Sequence, residues 1–241
     1  MTITRRVLVL TPTFNERANL GPFVDELFAV LPDAHLLVID DNSPDGTGVL
    51  ADELAAQDPR IAVVHRPRKL GLGTAYVDGF RYALGRDYDT VFEMDTDLSH
   101  DARHLPSFLA ALDAGADVAV GSRNIPGGGV VGWGLRRHLI SRGGSLYART
   151  VLGVGVRDLT TGYKAYTREA LERIDVESLQ SDGYAFQIET TYRALCQGLH
   201  VEEVPIVFVD RRVGRSKLDR AIFAEAIWAV WRLRLDALRT R

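Results

Sequence analysis

The sequence predicts an α/β protein with a mostly parallel central sheet and helices on both faces. Short apolar runs alternate along the chain with segments whose apolar residues recur at helical spacing. This order builds parallel sheets through right-handed connections. The 241 residues, 46% of them hydrophobic and 25% charged, suffice for one sizeable core of ordinary soluble composition. We find no internal repeat or clear linker, so we expect one continuous fold.

Each element is predicted from its own stretch of sequence. The first run, RVLVLT at residues 6–11, is apolar and β-branched throughout, as in a strand buried on both faces. After a polar turn, apolar residues from Leu20 to Leu31 recur at helical spacing. Further strands are predicted at 35–39, 61–64, in the stretch 90–99, at 117–121 and 201–209, and helices at 47–56, 75–85, 102–113 and from about 136, 184 and 219.

Three smaller features complete this picture. Residues 124–134 contain five glycines, which is typical of a mobile loop. Residues 158–164 predict a polar turn. The one cysteine, Cys196, excludes an internal disulfide and a cysteine-based metal cluster. It follows Ala194 and Leu195 in a helical stretch, and we interpret it as a core residue.

Charge and hydropathy exclude several classes of protein. A net charge of −3 and basic residues without interleaved aromatics argue against nucleic-acid binding. No apolar run reaches the ~18 residues of a transmembrane helix, and the N-terminus enters a strand without a signal peptide. We therefore expect a cytoplasmic protein, or one peripheral on the cytosolic face of a membrane. Residues 211–241 carry a net +6 and the remainder −9, which suggests an anionic partner at the C-terminal end.

An acidic pair marks the candidate site. The run Thr90-Val91-Phe92-Glu93-Met94 is followed by Asp95 and Asp97, one residue apart. An isolated pair of this kind more often ends a strand and caps a helix, with Ser99 or Asp101 as the cap. At the carboxyl end of a central strand, however, two carboxylates face the crevice where open α/β sheets bind ligands.

Further acids follow the neighbouring strands. Glu16 comes after the first strand, and Asp41 and Asp45 come after the second. Because the carboxyl ends of parallel strands share one edge, five acids converge there, and they repel one another unless cations or donors join them. Carboxylates bind Mg²⁺ or Mn²⁺ when a substrate phosphate supplies the remaining ligands. The constellation therefore predicts a metal–nucleotide site.

Positive charge is expected at three places around this edge. The loop 66–74 carries Arg66, Arg68 and Lys69, and its glycines, Gly71 and Gly73, allow close approach to a phosphate, although the pattern alone is weak.

A second, mostly basic group lies at the predicted start of a helix: Arg136, Arg137, His138, Ser141 and Arg142. These residues either bind an anion or form an ordinary solvated helix face. The final helix pairs an apolar, tryptophan-bearing stripe with arginines. This pattern favours an interfacial position on anionic lipid or, equally, packing on its own domain or on a dimer partner.

Taken together, the motifs resemble the family-2 glycosyltransferases with a GT-A fold, more narrowly the dolichol- and polyprenol-phosphate mannose synthases. The resemblance covers residues 11–218 and implies a Rossmann-like three-layer sandwich. It rests on short motifs in a specific order: TPTFNE, VIDDNSPDGT, RPRKLGLGTAY, EMDTDLSHD, GSRN, WGLRRHLISRG, DLTTGYKAY, DGYAFQIE, EVPIVFVDR and GRSKL. Departures are modest: Phe14 replaces a frequent tyrosine, Ser99 a glutamine of some members, and Arg215 the usual acid.

The resemblance implies a role for each matching residue. A catalytic domain would span 1–218, with a donor half to about 122 and an acceptor half from about 123, followed by a basic amphipathic helix at 219–241. The guanosine diphosphate part of the donor would contact Pro12, Phe14, Glu16, Asp41, Asp45 and Lys69. Mg²⁺ or Mn²⁺ would be held by Asp95, Asp97 and Ser99. The catalytic residues would be Asp97 and, gripping the acceptor phosphate, Arg123, Arg137 and Ser141, with Arg211 and Lys217 binding phosphate from the other side.

The implied reaction is mannose transfer with inversion from GDP-mannose to a polyprenyl or dolichyl phosphate. The acceptor phosphate, with a second pKa near ~6, is largely dianionic at pH 7 and needs no general base. The chain would contact the membrane peripherally, through its C-terminal helix or through a membrane partner. Alternatives are UDP-glucose or another nucleotide sugar as donor, a soluble acceptor, or a nucleotide-sugar-binding scaffold without turnover.

Overall fold

The computed structural model describes residues 5–179, 181–210 and 220–239, without the side chains of 135–139, 220–226 and 238–239. The strands are β1 Val7–Thr13, β2 His35–Asp40, β3 Ile61–His65, β4 Thr90–Glu93, β5 Val118–Ser122, β6 Gly129–Val131, β7 Lys164–Thr167, β8 Val201–Pro205 and β9 Val207–Val209. The helices are α1 Arg17–Val30, α2 Thr47–Gln57, α3 Leu72–Leu84, α4 Leu105–Asp113, α5 Leu135–Leu152, α6 Arg168–Ile174, α7 Gly183–Cys196 and α8 Arg220–Arg239.

The central sheet has seven strands in the order β3-β2-β1-β4-β7-β5-β8. The strand β1 lies between β2 and β4 and is parallel to both, with Thr13 opposite Asp40 and Leu10 opposite Glu93. The carboxyl ends of these three strands therefore meet at one edge, as predicted. The turns that follow them carry the candidate acidic residues.

Alternate residues of β1 and β2 enter two separate cores, one on each face of the sheet. Val9 packs with α1, α2 and α4, whereas Leu10 packs with α3, α6 and α7. Because both faces are covered, these strands are apolar throughout rather than alternating. The predicted three-layer α/β sandwich is thus confirmed.

The strand β7 is antiparallel to both its neighbours and was not predicted, because it contains the charged residue Lys164. Lys164 lies opposite Glu93 in register, and both side chains are buried. The Lys164 ammonium donates to the Gln187 carbonyl (2.7 Å) and the Thr190 hydroxyl (2.8 Å). Burial lowers the pKa of Lys164 to about 8, against the opposing effect of Glu93. The expected polar turn at 158–164 therefore ends in this strand.

The single strand predicted at 201–209 is wrong, because the segment forms two strands in two sheets. The strand β8 pairs with β5 and ends at Pro205, which has no N–H to donate. The strand β9 instead pairs in parallel with β6, which lies inside the glycine-rich segment 124–134. We call this two-stranded sheet the β6–β9 ribbon.

The helix α8 packs on α5 and α7, through a core formed by Ala229, Val230 and Leu233. Packing on its own domain is therefore confirmed for this face of the helix. Another face exposes Trp228, 77% accessible, and Trp231, 49% accessible. Along the described residues we find no helix with both the length and the apolarity to span a bilayer.

The expectation that Cys196 lies in the core is wrong, because this last residue of α7 is exposed.

Candidate active site

A cleft of about 230 Å³ opens at the carboxyl edge of β1, β2 and β4. It brings together most of the residues expected to bind the donor. Those that line it are Pro12, Phe14, Glu16, Asp41, Lys69, Asp95 and Asp97, together with Thr13, Gly71, Leu72 and Thr96. The Lys69 ammonium lies 4.4 Å from the centre of the Phe14 ring. The cleft thus combines an aromatic face, a cation and several carboxylates.

The acidic pair lies in the loop that follows β4. This loop is fastened to β1 by a 2.7 Å hydrogen bond between the hydroxyls of Thr11 and Thr96. The carboxylate of Asp97 is buried and accepts the Ser99 N–H at 3.0 Å. The Asp95 side chain is 32% exposed. One carboxylate is therefore fixed by the loop and the other faces the cleft more openly.

The donor set fits a hard divalent cation bound together with a ligand. In the described part of the chain, no three His, Cys, Asp or Glu side chains are grouped to hold a metal alone. Two carboxylates beside an open cleft leave coordination positions for diphosphate oxygens, the usual arrangement for Mg²⁺. The Ser99 hydroxyl is buried and has no hydrogen-bond partner among the described residues.

Asp41 organises the basic loop next to the cleft. It accepts Arg66 Nη1 at 2.7 Å and the N–H groups of Leu70 and Gly71 at 3.2 and 3.3 Å. Arg66 is itself buried and also reaches Asp78 at 3.2 Å. Arg66 is therefore an internal ion-pair partner of Asp41, and Lys69 is the cation of this loop that lines the cleft.

The glycines of the same loop serve packing. A Cβ at Gly73 would lie 2.4 Å from the Ser181 carbonyl oxygen, and Gly71 has a positive φ of 105°. The Gly73 N–H donates to the Asp182 carboxylate at 2.6 Å. The close approach that these glycines permit in this structure is therefore to the start of α7.

Asp45 does not line the cleft. Its carboxylate accepts the Thr47 N–H at 3.0 Å, the Thr47 hydroxyl at 2.5 Å and the Arg17 N–H at 3.1 Å. Partial burial would raise the pKa of Asp45, but these hydrogen bonds lower it. Asp45 thus holds the turn that leads into α2.

In the part of the chain expected to bind the acceptor, Arg123 is buried in a bidentate ion pair with Asp158. Its Nε and Nη2 donate to the two carboxylate oxygens at 2.7 Å each, and Nη2 also donates to Thr160 at 2.9 Å. Burial alone would raise the pKa of Asp158, but the charge and hydrogen bonds of Arg123 lower it. The Arg123 guanidinium also lies 5.5 Å from the Trp133 ring and 5.6 Å from the Phe208 ring.

Arg123 shares a small cleft with Ser141, Arg142 and Trp133. The structure therefore places two of the predicted acceptor residues together. The side chain of Arg137 and the residues Arg211 and Lys217 lie outside the described part of the chain.

Sequence reasoning did not single out Asp158 or His100 as site residues. Asp158 opens the polar turn, and its type gave no sign that it is fully buried. His100 lies three residues after Asp97, and its ring stacks on Tyr163. Asp158 lies in the motif DLTTGYKAY and His100 in the motif EMDTDLSHD. The motifs therefore marked both positions, but they did not indicate the contacts that the two side chains make.

Comparisons with known proteins show that the chain is a glycosyltransferase. The profile of glycosyl transferase family 2 matches residues 8–175, and the chain belongs to this family. The chain is 50% identical over 242 residues to the polyprenol monophosphomannose synthase of Mycolicibacterium smegmatis, covering 98% of this chain and 91% of that one. It is 45% identical over 240 residues to the undecaprenyl-phosphate mannosyltransferase of Micrococcus luteus, covering 98% of each.

Solved structures give the same fold. Glucosyl-3-phosphoglycerate synthase from Mycobacterium tuberculosis, in complex with phosphoglyceric acid, superposes with a TM-score of 0.70 at 20% identity, over 95% of this chain and 80% of that one. The complex of that enzyme with Mn²⁺, uridine diphosphate and glucosyl-3-phosphoglycerate superposes on this chain with a TM-score of 0.68. The predicted GT-A fold is confirmed.

Proposed function

We propose that this chain transfers mannose from GDP-mannose to a polyprenyl, dolichyl-type monophosphate with inversion, producing polyprenyl phosphate mannose and GDP. The main support is the cleft that places Asp95 and Asp97 beside Phe14 and Lys69 at the carboxyl edge of the sheet. The names of the two relatives above supply the acceptor class and the sugar. The donor nucleotide comes from the motif resemblance.

Asp95 and Asp97 would hold Mg²⁺ or Mn²⁺ against the donor diphosphate, with the buried Ser99 hydroxyl as the remaining candidate ligand. When bound, the ion supplies charge neutralisation for the leaving diphosphate. The base and ribose would lie against Pro12, Phe14 and Glu16, with Asp41 and Lys69 beside them and Asp45 holding the adjoining turn.

The acceptor phosphate is its own nucleophile. One of its oxygens forms a bond to the anomeric carbon as the bond from that carbon to the GDP oxygen breaks, which inverts the configuration. Because the acceptor is already dianionic near pH 7, no side chain has to remove a proton. The protein's task is to align two anions that repel, and we assign that task to Arg123, Arg137 and Ser141 and, from the motif resemblance alone, to Arg211 and Lys217.

The test is transfer of radiolabelled sugar into an organic-extractable product, with GDP-mannose or UDP-glucose as donor and with or without EDTA. We expect product from GDP-mannose only, and none with EDTA. The D97N variant should lose at least ~100-fold in rate, while D87N should match wild type, because Asp87 is 98% exposed before β4, away from the cleft. Product from UDP-glucose, or donor binding without transfer, would overturn the proposal.

We also propose that the enzyme is cytoplasmic and lies peripherally on the cytosolic face of a membrane. Among the side chains that the structure describes, the large exposed apolar ones of α8 are Ile227, Trp228, Trp231 and Leu235, and those of the adjoining α5 are Ile140 and Leu146. A bond from the Tyr147 hydroxyl to the Ile227 carbonyl, 3.2 Å, joins the two helices. Apolar side chains beside a basic C-terminal segment suit an interface of anionic lipid.

Sedimentation with anionic liposomes tests this contact. W228A should weaken partitioning by about tenfold, since a large apolar side chain contributes ~1.5–3 kcal/mol on burial. V49A is the control, because Val49 is 59% exposed on α2. Equal partitioning of wild type and W228A would instead favour attachment through a membrane partner.

A further inference from the structure

The loop that carries Asp95 and Asp97 also contains His100, whose imidazole is buried, with 3% of the residue exposed. Its ring stacks on Tyr163, with centroids 4.8 Å apart and planes 15° from parallel. The Phe208 ring meets it edge-on at 5.7 Å. Two aromatic neighbours from separate elements therefore fix the plane of this imidazole.

Both nitrogens of the ring face Asp95. The Asp95 N–H donates to His100 Nδ1 at 3.1 Å, and His100 Nε2 lies 3.9 Å from Asp95 Oδ2. A nitrogen that accepts a hydrogen bond carries no proton, so this bond assigns the neutral tautomer with the proton on Nε2. The ring therefore accepts from the main chain of Asp95 and presents an N–H toward its carboxylate.

The surroundings of the ring are held from outside the loop. The Tyr163 hydroxyl donates to the Asp101 carbonyl at 3.1 Å. On the other side, the Val209 N–H of the β6–β9 ribbon donates to the Ser99 carbonyl at 3.4 Å. The loop from 95 to 101 is thus closed around the imidazole by two neighbouring segments, and rotation of the ring would disturb both.

We propose that His100 is a positioning residue that sets the orientation of the Asp95 peptide and carboxylate for the metal–diphosphate complex. It contacts no substrate and acts through Asp95, as ligand-orienting groups behind metal sites do. Without the acceptor nitrogen, the partly buried Asp95 N–H would lose its partner, and the peptide would rotate to regain one. This inference rests on the proposed function, because it requires that Asp95 bind a cation.

The experiment separates hydrogen bonding from packing with two opposite substitutions. H100N keeps an acceptor oxygen where Nδ1 lies and loses the stacked ring, whereas H100F keeps the ring and loses both nitrogens. Mn²⁺ affinity is measured by electron paramagnetic resonance with GDP present, and folding by thermal melting. H104F is the matched control, because His104 Nε2 also accepts a backbone N–H, that of Val207 at 3.2 Å.

We expect H100F to weaken Mn²⁺ binding by about tenfold, H100N to stay within about threefold of wild type, and H104F to match wild type. The opposite order, with H100F near wild type and H100N impaired, would show a packing role and overturn the inference alone. If H100F fails to fold, H100N decides alone: a loss of Mn²⁺ affinity within about threefold would support the inference, and a larger loss would overturn it. If the wild-type protein binds no Mn²⁺ in the presence of GDP, the proposed metal site at Asp95 and Asp97 is wrong, and this inference is overturned with it.

Discussion

Replacing Asp158 with asparagine probes the buried ion pair between Asp158 and Arg123. The Asp158 side chain is fully buried and accepts two 2.7 Å hydrogen bonds from Arg123, which is itself only 8% exposed. Asparagine keeps the shape but not the charge, so the guanidinium would remain buried without a counter-ion. Breaking a buried pair from one side costs ~3–5 kcal/mol. Since one acceptor oxygen survives, we expect D158N to lose about 3 kcal/mol in free energy of unfolding.

Urea denaturation followed by tryptophan fluorescence measures this loss. D113N is the control, because Asp113 pairs with Arg5 at a similar 2.8 Å but is 62% exposed. We expect it to lose less than ~1 kcal/mol. The KM for polyprenyl phosphate should rise in D158N while the donor KM stays constant, because Arg123 would be re-aimed.

The contribution of Asp158 to the free energy of unfolding depends on pH in one direction. Since the pKa of Asp158 is lowered in the folded protein, its contribution is present above the ordinary carboxyl pKa and is lost as the pH falls through the lowered value. A D158N protein as stable as D113N would refute the reasoning.

Two further predictions concern the fold beneath and beside the cleft. Because the folded pKa of Lys164 is about 8 against an ordinary 10.5, the folded state releases this proton first as pH rises. The stability of wild type relative to a K164M/E93Q double variant should therefore increase between pH 8 and 10.5, by up to about 3 kcal/mol; a flat difference in urea midpoints would contradict this. G73A should lose at least about 1 kcal/mol and weaken donor binding by calorimetry, because its Cβ would meet a backbone carbonyl at 2.4 Å. G144A, with open space around its Cβ, should match wild type, and equal behaviour of the two would rule out the clash.

The central strands could be predicted because nearly every residue in them is apolar, as burial on both faces of the sheet requires. Leu8, Val9 and Leu10 are fully buried on alternate faces, so no polar residue interrupts the run. The strand β7 could not be predicted in this way. Lys164 is tolerated inside because Glu93, 71 positions earlier in the chain, lies opposite it and because Gln187 and Thr190 accept hydrogen bonds from its ammonium, and local sequence patterns do not show such compensation.

The same difference between local patterns and long-range contacts applies to the site. The carboxylates at the strand ends were predictable, since parallel order alone brings them to one edge. What each side chain bonds there was not predictable. Asp41 lines the cleft as expected, but the sequence did not show that it also binds Arg66, which is buried and does not line the cleft. Asp45 holds a local turn, and the orientation of His100 depends on Tyr163, which no spacing rule connects to it.

The position of β7 has a consequence for how the protein can be divided. This strand follows residue 122 in the chain, yet it lies between β4 and β5, which both come before residue 123. A fragment ending near residue 122 would leave facing backbone groups of both strands without partners, so it should not fold alone. A chimaera that exchanges the segment after residue 122 between relatives therefore also exchanges a central strand of the sheet, and two fragments divided at that residue and expressed separately should regain structure only on mixing.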